Sequence, residues 1–152
     1  MAGAKPGKFT YDYPRPALTA DVVLVTREAD PRVLLIKRKS DPFAGLWALP
    51  GGFVDEGERP ADAARRELQE EAGLTVEDLE PLYTAGDPGR DPRGWTVSVV
   101  FLARIDPKKA KGKAGDDAAE VGWFPLTAPP ATAFDHGMLL GRARARLADR
   151  SA

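Results

Sequence analysis

Residues 51–74 read GGFVDEGERPADAARRELQEEAGL, and they decide how the rest of the chain is understood. Pro60 fits the first position of a helix, where its missing N–H costs nothing. Gly73 fits the residue just past a helix end, where a left-handed backbone is needed. The spacing between them predicts a helix over 60–72. On a wheel of about 100° per residue, Glu67, Glu70 and Glu71 project from one face, with Ala63 beside them. Leu68, Ala64, Ala61 and Ala72 gather on an adjoining face suited to packing on a sheet. Arg66 precedes Glu70 by four residues, the neighbour relation on a helix.

Outward from this helix, strands and helices intermix. LTADVVLVT (18–26) and VLLIKR (33–38) are rich in β-formers and predict strands. A short strand is expected from Leu46 to Leu49, before Pro50-Gly51-Gly52, and another around Leu82-Tyr83-Thr84. WTVSVVFLARI (95–105) is apolar on both faces and predicts a central strand. Val121 to Phe124 predicts a last strand within 119–125. Leu140, Ala143 and Leu147 recur at helical spacing and predict a second helix from His136 to Asp149. Residues 86–94 and 106–117 read as loops, the first from its Gly and Pro content, the second from its charge. Residues 1–17, broken by Pro6, Pro14 and Pro16, read as an extended arm. The expectation is one domain over 18–152, of α/β class with a mixed sheet.

Composition narrows the chemistry. The chain has 152 residues, 22 basic and 23 acidic, for a net charge of −1. That balance argues against a general nucleic-acid or membrane-surface binder. There is no Cys and a single His. Disulfides, thiolate zinc sites and cysteine nucleophiles are excluded, and any metal must be held by oxygen, which points to Mg²⁺ or Mn²⁺. No stretch approaches the roughly 18 apolar residues of a membrane span, and the N-terminus lacks the apolar core of a secretory signal. A cytoplasmic location is expected.

Three carboxylates on one helix face repel one another. Divalent cations relieve that repulsion, and Mg²⁺ commonly pairs a few carboxylates with substrate phosphates. The plainer reading of the same face is a solvated acidic surface. The surrounding residues decide between them. Gly52, Glu58, Arg66, Glu67, Leu68, Glu70, Glu71, Gly73 and Leu74 fill every defined position of the Nudix box, G-x5-E-x7-R-E-U-x-E-E-x-G-U, where U is a bulky aliphatic residue. The chain thus resembles the Nudix hydrolases. The resemblance implies an α/β/α sandwich, a mixed sheet between helices with a loop–helix–loop catalytic motif. It implies that Glu67, Glu70 and Glu71 bind metal, aided by the Gly51 carbonyl. It implies that Glu58 and Arg66 brace the motif through an ion pair, and that Gly52 and Gly73 serve turns.

The box does not select a substrate. YPRPALTADVVLV, LLIKRKSDPFAGLWALPGGFVD, GDPGRDPRGWTVSVVF, KAGDDAAEVGWFPL and AFDH together resemble the ADP-ribose pyrophosphatase branch. That resemblance implies Mg²⁺-dependent cleavage of the ADP-ribose diphosphate to AMP and ribose 5-phosphate, with Mn²⁺ able to substitute, and a homodimer. Arg90 and Arg93 can fork onto phosphate, or can be paired locally with Asp87 and Asp91. Arg15, Arg38 and Trp47 are further candidates for substrate contact. Asp117, then Glu120, is the expected extra ligand or general base. His136 is a base or nucleobase contact, or else a cap or surface residue. The rival functions are a hydrolase of other nucleoside diphosphate derivatives or damaged nucleoside triphosphates, and a non-catalytic ADP-ribose sensor fused to a winged helix. The sequence as given stops at Ala152, one Arg-rich helix after the last strand, which leads us to expect the enzyme.

Overall fold

The computed structural model describes residues 8–111 and 118–151. Seven strands and two helices follow in the order β1 (Ala17–Thr26), β2 (Arg32–Arg38), β3 (Trp47–Ala48), β4 (Gly51–Phe53), α1 (Pro60–Ala72), β5 (Glu80–Ala85), β6 (Thr96–Ile105), β7 (Ala118–Pro125) and α2 (His136–Ser151). A short 3-10 turn, Pro107–Lys109, follows β6. The expected α/β sandwich with a mixed sheet is the observed one, with elements that differ in their bounds. Gly51–Phe53, for which no strand was expected, is a strand. The strand expected from Leu46 to Leu49 is shorter, the one near Leu82 is longer, and the first strand begins at Ala17.

β1 and β6 form the centre of the sheet. They run parallel in register from Ala17 opposite Thr96 to Thr26 opposite Ile105. A parallel pair buried on both faces favours a mostly apolar run, the pattern that marked 95–105 in the sequence, and the β-formers of 18–26 accord with it. Ala20, Val22 and Leu24 of β1 pack with Ala63, Ala64, Leu68 and Ala72 of α1. Val23 and Val25 point the other way and pack with Leu139, Leu140 and Ala143 of α2. Period-2 alternation in one strand thus supplies both halves of the core.

The sheet splits near Gly51 and α1. β1 and β2 pair antiparallel only at Val25 and Val33. Beyond that point residues 47–53 wedge between them, β3 against β2 and β4 against β1. The Val22 N–H donates to the Pro50 carbonyl at 2.9 Å, so the bend at Pro50 is stitched to the central strand. The wedge escapes simple pattern reading because Gly51 and Gly52 are poor strand formers; their strand character comes from a partner 30 residues away.

α1 spans the expected 60–72. Pro60 opens it, and Gly73 closes it at φ 67°, its N–H donating to the Gln69 carbonyl at 3.0 Å. A Cβ at Gly73 would meet no atom, so substitution there costs backbone strain alone. Gly73→Ala is expected to destabilise the fold by about 1 kcal/mol. Urea denaturation checks this: the midpoint falls while the slope is unchanged.

Candidate active site

The acidic face of α1 lies against β4, and Arg66 is the centre of that contact. Its Nε and Nη2 donate to the two Glu58 carboxylate oxygens at 2.9 Å each. Its Nη1 donates to Glu67 at 2.8 Å and to Glu70 at 3.4 Å. Its Nη2 also reaches the Phe53 carbonyl at 3.1 Å, and Asp55 lies 3.6 Å away. Hydrogen bonding to Arg66 holds the Glu58 carboxyl below its usual pKa, and the same bonds raise that of Arg66. The expected brace is therefore present, and it extends to two of the three box carboxylates.

Glu71 is held by the backbone of β4. It accepts from the Gly51 N–H at 2.8 Å. A Cβ at Gly52 would stand 2.6 Å from the Glu67 carboxylate, so backbone and carboxylate approach as closely as only glycine permits. As the side chains stand, no three acidic or His groups among the described residues converge on one point. Arg66 and the Gly51 N–H hold Glu67 and Glu71, whereas the Glu70 side chain is 45% exposed. Chemically the set suits a hard divalent cation, with carboxylates on one helix face and backbone brought against them at Gly51 and Gly52.

Beside this face opens a recess of about 270 Å³. Glu71, Gly51, Gly52 and Asp21 line one side, and Arg38, Arg90, Arg93, Phe134 and His136 line the other. The 86–94 loop reaches it through two anchors. Arg90, only 5% exposed at its side chain, grips Asp135 with both Nε (2.9 Å) and Nη2 (2.7 Å). Arg93 binds the buried Asp91 carboxylate and lies over the Phe53 and Phe134 rings. Local pairing is observed for Arg93, with Asp91, whereas Arg90 pairs with the distant Asp135, and both are thereby held in the recess wall. Arg38 also stands over Phe134, 5.0 Å from the ring centre, and its Nε donates to the Pro42 carbonyl at 2.7 Å. Among the described residues Arg38 has no carboxylate partner, so its charge is the least neutralised in the wall.

The AFDH segment is carried to the recess by β3. The Trp47 N–H donates to the Ala131 carbonyl and the Ala133 N–H to the Trp47 carbonyl, at 3.3 and 2.8 Å. Phe134 and Phe43 then meet edge to face at 4.8 Å, both in left-handed backbone, φ 52° and 63°, a conformation that bulky residues rarely adopt and that clusters at functional sites. Trp47 itself does not line the recess. Its ring packs on Phe124 at 4.7 Å and on the core under α2.

His136 is neither a surface residue nor a free base. It is buried at the start of α2, and its Nδ1 accepts from the Leu49 N–H at 3.0 Å. That bond assigns the neutral tautomer with the proton on Nε2. Burial lowers its pKa to about 4. Glu120 is exposed and forms a cross-strand ion pair with Lys37 at 3.3 Å, outside the recess. Arg15 lies on the arm, stacked 3.8 Å over Tyr11, also outside it. Asp117 lies outside the described residues.

Sequence reasoning gave no role to Asp21, Asp135, Phe43 or Phe134. Asp21 is the most telling. It is buried in β1, takes a hydrogen bond from Ser98, and burial raises its pKa to about 6, with Asp135 and Glu67 adding and Ser98 and Arg90 opposing. The signal was present: Asp21 is the one charged residue in LTADVVLV, an otherwise buried strand.

The profile of the NUDIX domain matches residues 15–140, from the start of the central strand through the recess to α2. The chain belongs to the NUDIX family. The ADP-ribose pyrophosphatase of Methanocaldococcus jannaschii is 44% identical over 128 residues, 84% of this chain and 73% of that protein. The ADPR responsive transcriptional repressor NtrR of Acinetobacter baylyi is 36% identical over 92% of this chain, which spans 58% of the repressor. The NUDIX domain of Shewanella oneidensis NrtR, solved in complex with ADP ribose, superposes with a TM-score of 0.80 at 36% identity, covering 90% of this chain and 94% of that one. The NUDIX fold seen in these relatives is the sandwich described above.

Two outcomes are expected. Arg66→Ala removes the cationic partner of the largely buried Glu58 and Asp55 carboxylates, and lowers stability by about 3 kcal/mol, measured by urea denaturation at neutral pH. For His136, the unfolded chain binds a proton near pH 6.5 while the folded chain resists until about pH 4. This group's contribution is therefore complete above pH 6.5 and is lost as pH falls toward 4. His136→Gln removes that loss, so the stability of the variant relative to wild type rises as pH falls through the same window. A constant difference across the window contradicts the assignment.

Proposed function

We propose that this NUDIX chain hydrolyses the diphosphate of ADP-ribose to AMP and ribose 5-phosphate, with Mg²⁺ held by Glu67, Glu70, Glu71 and the Gly51 carbonyl and with Mn²⁺ able to replace it. One observation carries the reading. An acidic helix face and an arginine wall flank a single recess, the arrangement a diphosphate and its countercations require. The pyrophosphatase activity named for the Methanocaldococcus relative and the ADP ribose bound by the Shewanella domain support the choice of substrate.

A divalent cation bound there supplies charge to neutralise the diphosphate and lowers the pKa of water. The chain's own residues do the rest. Arg38, with no carboxylate partner among the described residues, is the primary phosphate contact. Arg90 and Arg93, already tied to Asp135 and Asp91, hold the wall in place and add a smaller field. Glu71, the box carboxylate that lines the recess, accepts the proton from water. His136 keeps its Nε2–H as a donor at neutral pH and does not act as a base. Asp117 remains a second candidate for the proton, Glu120 a weaker one, given its pairing with Lys37.

A sensor reading is favoured by the likeness to an ADPR responsive transcriptional repressor and to a NUDIX domain solved with ADP ribose. The complete set of box carboxylates, with a brace that orients them, favours catalysis. No helix among the described residues is long and apolar enough to cross a membrane, and a nucleotide substrate accords with the cytoplasm. Exposed Phe9, Tyr11 and Tyr13 on the arm, together with the exposed Trp95, offer aromatic surface that a homodimer would cover.

Steady-state kinetics with ADP-ribose and Mg²⁺, with products identified, test the assignment. Glu71→Gln is expected to lower kcat on the order of 10²–10³-fold, the size of losing one preorganised charged group. Arg38→Met is expected to act chiefly on KM. Full turnover by Glu71→Gln, or preference for a nucleoside triphosphate, sinks the reading. Sedimentation equilibrium should find a dimer that becomes a monomer when Phe9, Tyr11 and Tyr13 are replaced by Ser.

A further inference from the structure

A second cavity, of about 810 Å³, lies at the other ends of the central strands, under the C-terminal half of α2. It shares no lining residue with the recess at α1. Three arginines reach it: Arg27 just past β1, Arg104 on β6 and Arg144 on α2. The parallel register brings the first two together. Val25 stands beside Arg104, and the Arg27 N–H donates to the Ile105 carbonyl at 2.9 Å. None of the three guanidiniums has a hydrogen bond or ion pair among the described residues.

Arg104 is the decisive residue. It sits on the α2 side of the sheet, two residues beyond Leu102, and its Nε is buried without a partner. Exposed arginines such as Arg27 and Arg144 are satisfied by water, but a buried cationic donor left unbonded carries its full desolvation penalty. A polar group in that state points to an acceptor that the protein does not itself supply. The only carboxylate in the lining, Glu28, is already engaged by Arg32 at 2.9 Å and by the Thr26 hydroxyl.

The charge around the cavity directs what can enter. A neighbouring recess shares Arg27 and Arg104, but there Glu77, Asp78, Glu80 and Asp106 balance them together with Lys109 and Arg150. In the first cavity three arginines face the single carboxylate of Glu28, so an anion is favoured there. The body of the ligand is set by the remaining lining. Val25, Leu126 and Leu147 are aliphatic, and no aromatic ring is available to stack on a nucleobase.

We propose that this cavity binds a small anion with an aliphatic body, its carboxylate or phosphate head gripped by Arg104 with Arg27 and Arg144. The forked guanidinium suits either head, and the burial of the apolar body provides selectivity over inorganic anions. The site does not depend on the reaction at α1.

Isothermal titration calorimetry on the full chain tests it, with octanoate, octyl phosphate and inorganic phosphate as probes. Saturable binding of one stoichiometric octyl probe is expected, at least tenfold tighter than inorganic phosphate, and the tighter of the two names the head group. Arg104→Met is expected to weaken that binding at least tenfold, to leave the thermal midpoint of the unliganded protein unchanged or raised, and to leave ADP-ribose turnover unaltered. The double variant Arg27→Gln, Arg144→Gln, at exposed positions, should weaken binding as well and covers a failure of Arg104→Met to fold. No saturable binding up to about 10 mM, or equal affinity in wild type and both variants, overturns the proposal. Binding of inorganic phosphate as tight as octyl phosphate overturns the aliphatic assignment.

Discussion

The guanidinium of Arg66 is the constraint on which the site depends. Its contacts with Glu58, Glu67, Glu70 and the Phe53 carbonyl join the loop before α1, the helix itself and β4. Without it the acidic face would repel itself, and the loop and strand would lose the tie that fixes their distance from the helix. The side chain is only 14% exposed, so its bonds operate at reduced screening, where paired charges orient one another strongly. Two of the carboxylates proposed to hold metal are thus positioned by a residue that performs no chemistry of its own.

The second organising feature is the split in the sheet. Because β1 and β2 part after Val25 and Val33, residues 47–53 enter between them and carry Gly51 and Gly52 to the acidic face. The same wedge reaches the opposite wall. Leu49 donates to His136, and Trp47 pairs with residues 131–133. One inserted segment therefore sets the separation between the carboxylates and the arginine wall, and burial keeps the histidine that joins them neutral. The left-handed backbones at Phe43 and Phe134 lie in this wall, where packing from both sides holds a conformation that neither residue favours.

Much of this was legible in the chain. The helix over 60–72 was bounded by Pro60 and Gly73 because both act through the local backbone. β1 and β6 were legible because a strand covered on two faces is rich in β-branched and other apolar residues. The three carboxylates were legible because residues three and four apart on a helix are neighbours whatever surrounds them. β4 was not, since Gly51 and Gly52 carry no strand signal of their own. Nor was the role of the 86–94 loop: Arg90 was seen as a cation near other charges, but its partner, Asp135, is 45 residues away. His136 was recognised as notable, yet its burial and its bond to Leu49 depend on where α2 docks.

By itself, then, the sequence determined the features that arise from local geometry: the helix and its ends, the acidic face, the central strands and, through the box, the family. Tertiary structure alone decided which arginine keeps an uncompensated charge, which carboxylate looks into the recess, and that a second basic cavity forms where β1 and β6 end. The physical reason is range. Helical spacing and strand alternation are written within a few residues, whereas desolvation and ion pairing depend on which distant side chains share a low-dielectric space, and only the completed fold brings those together.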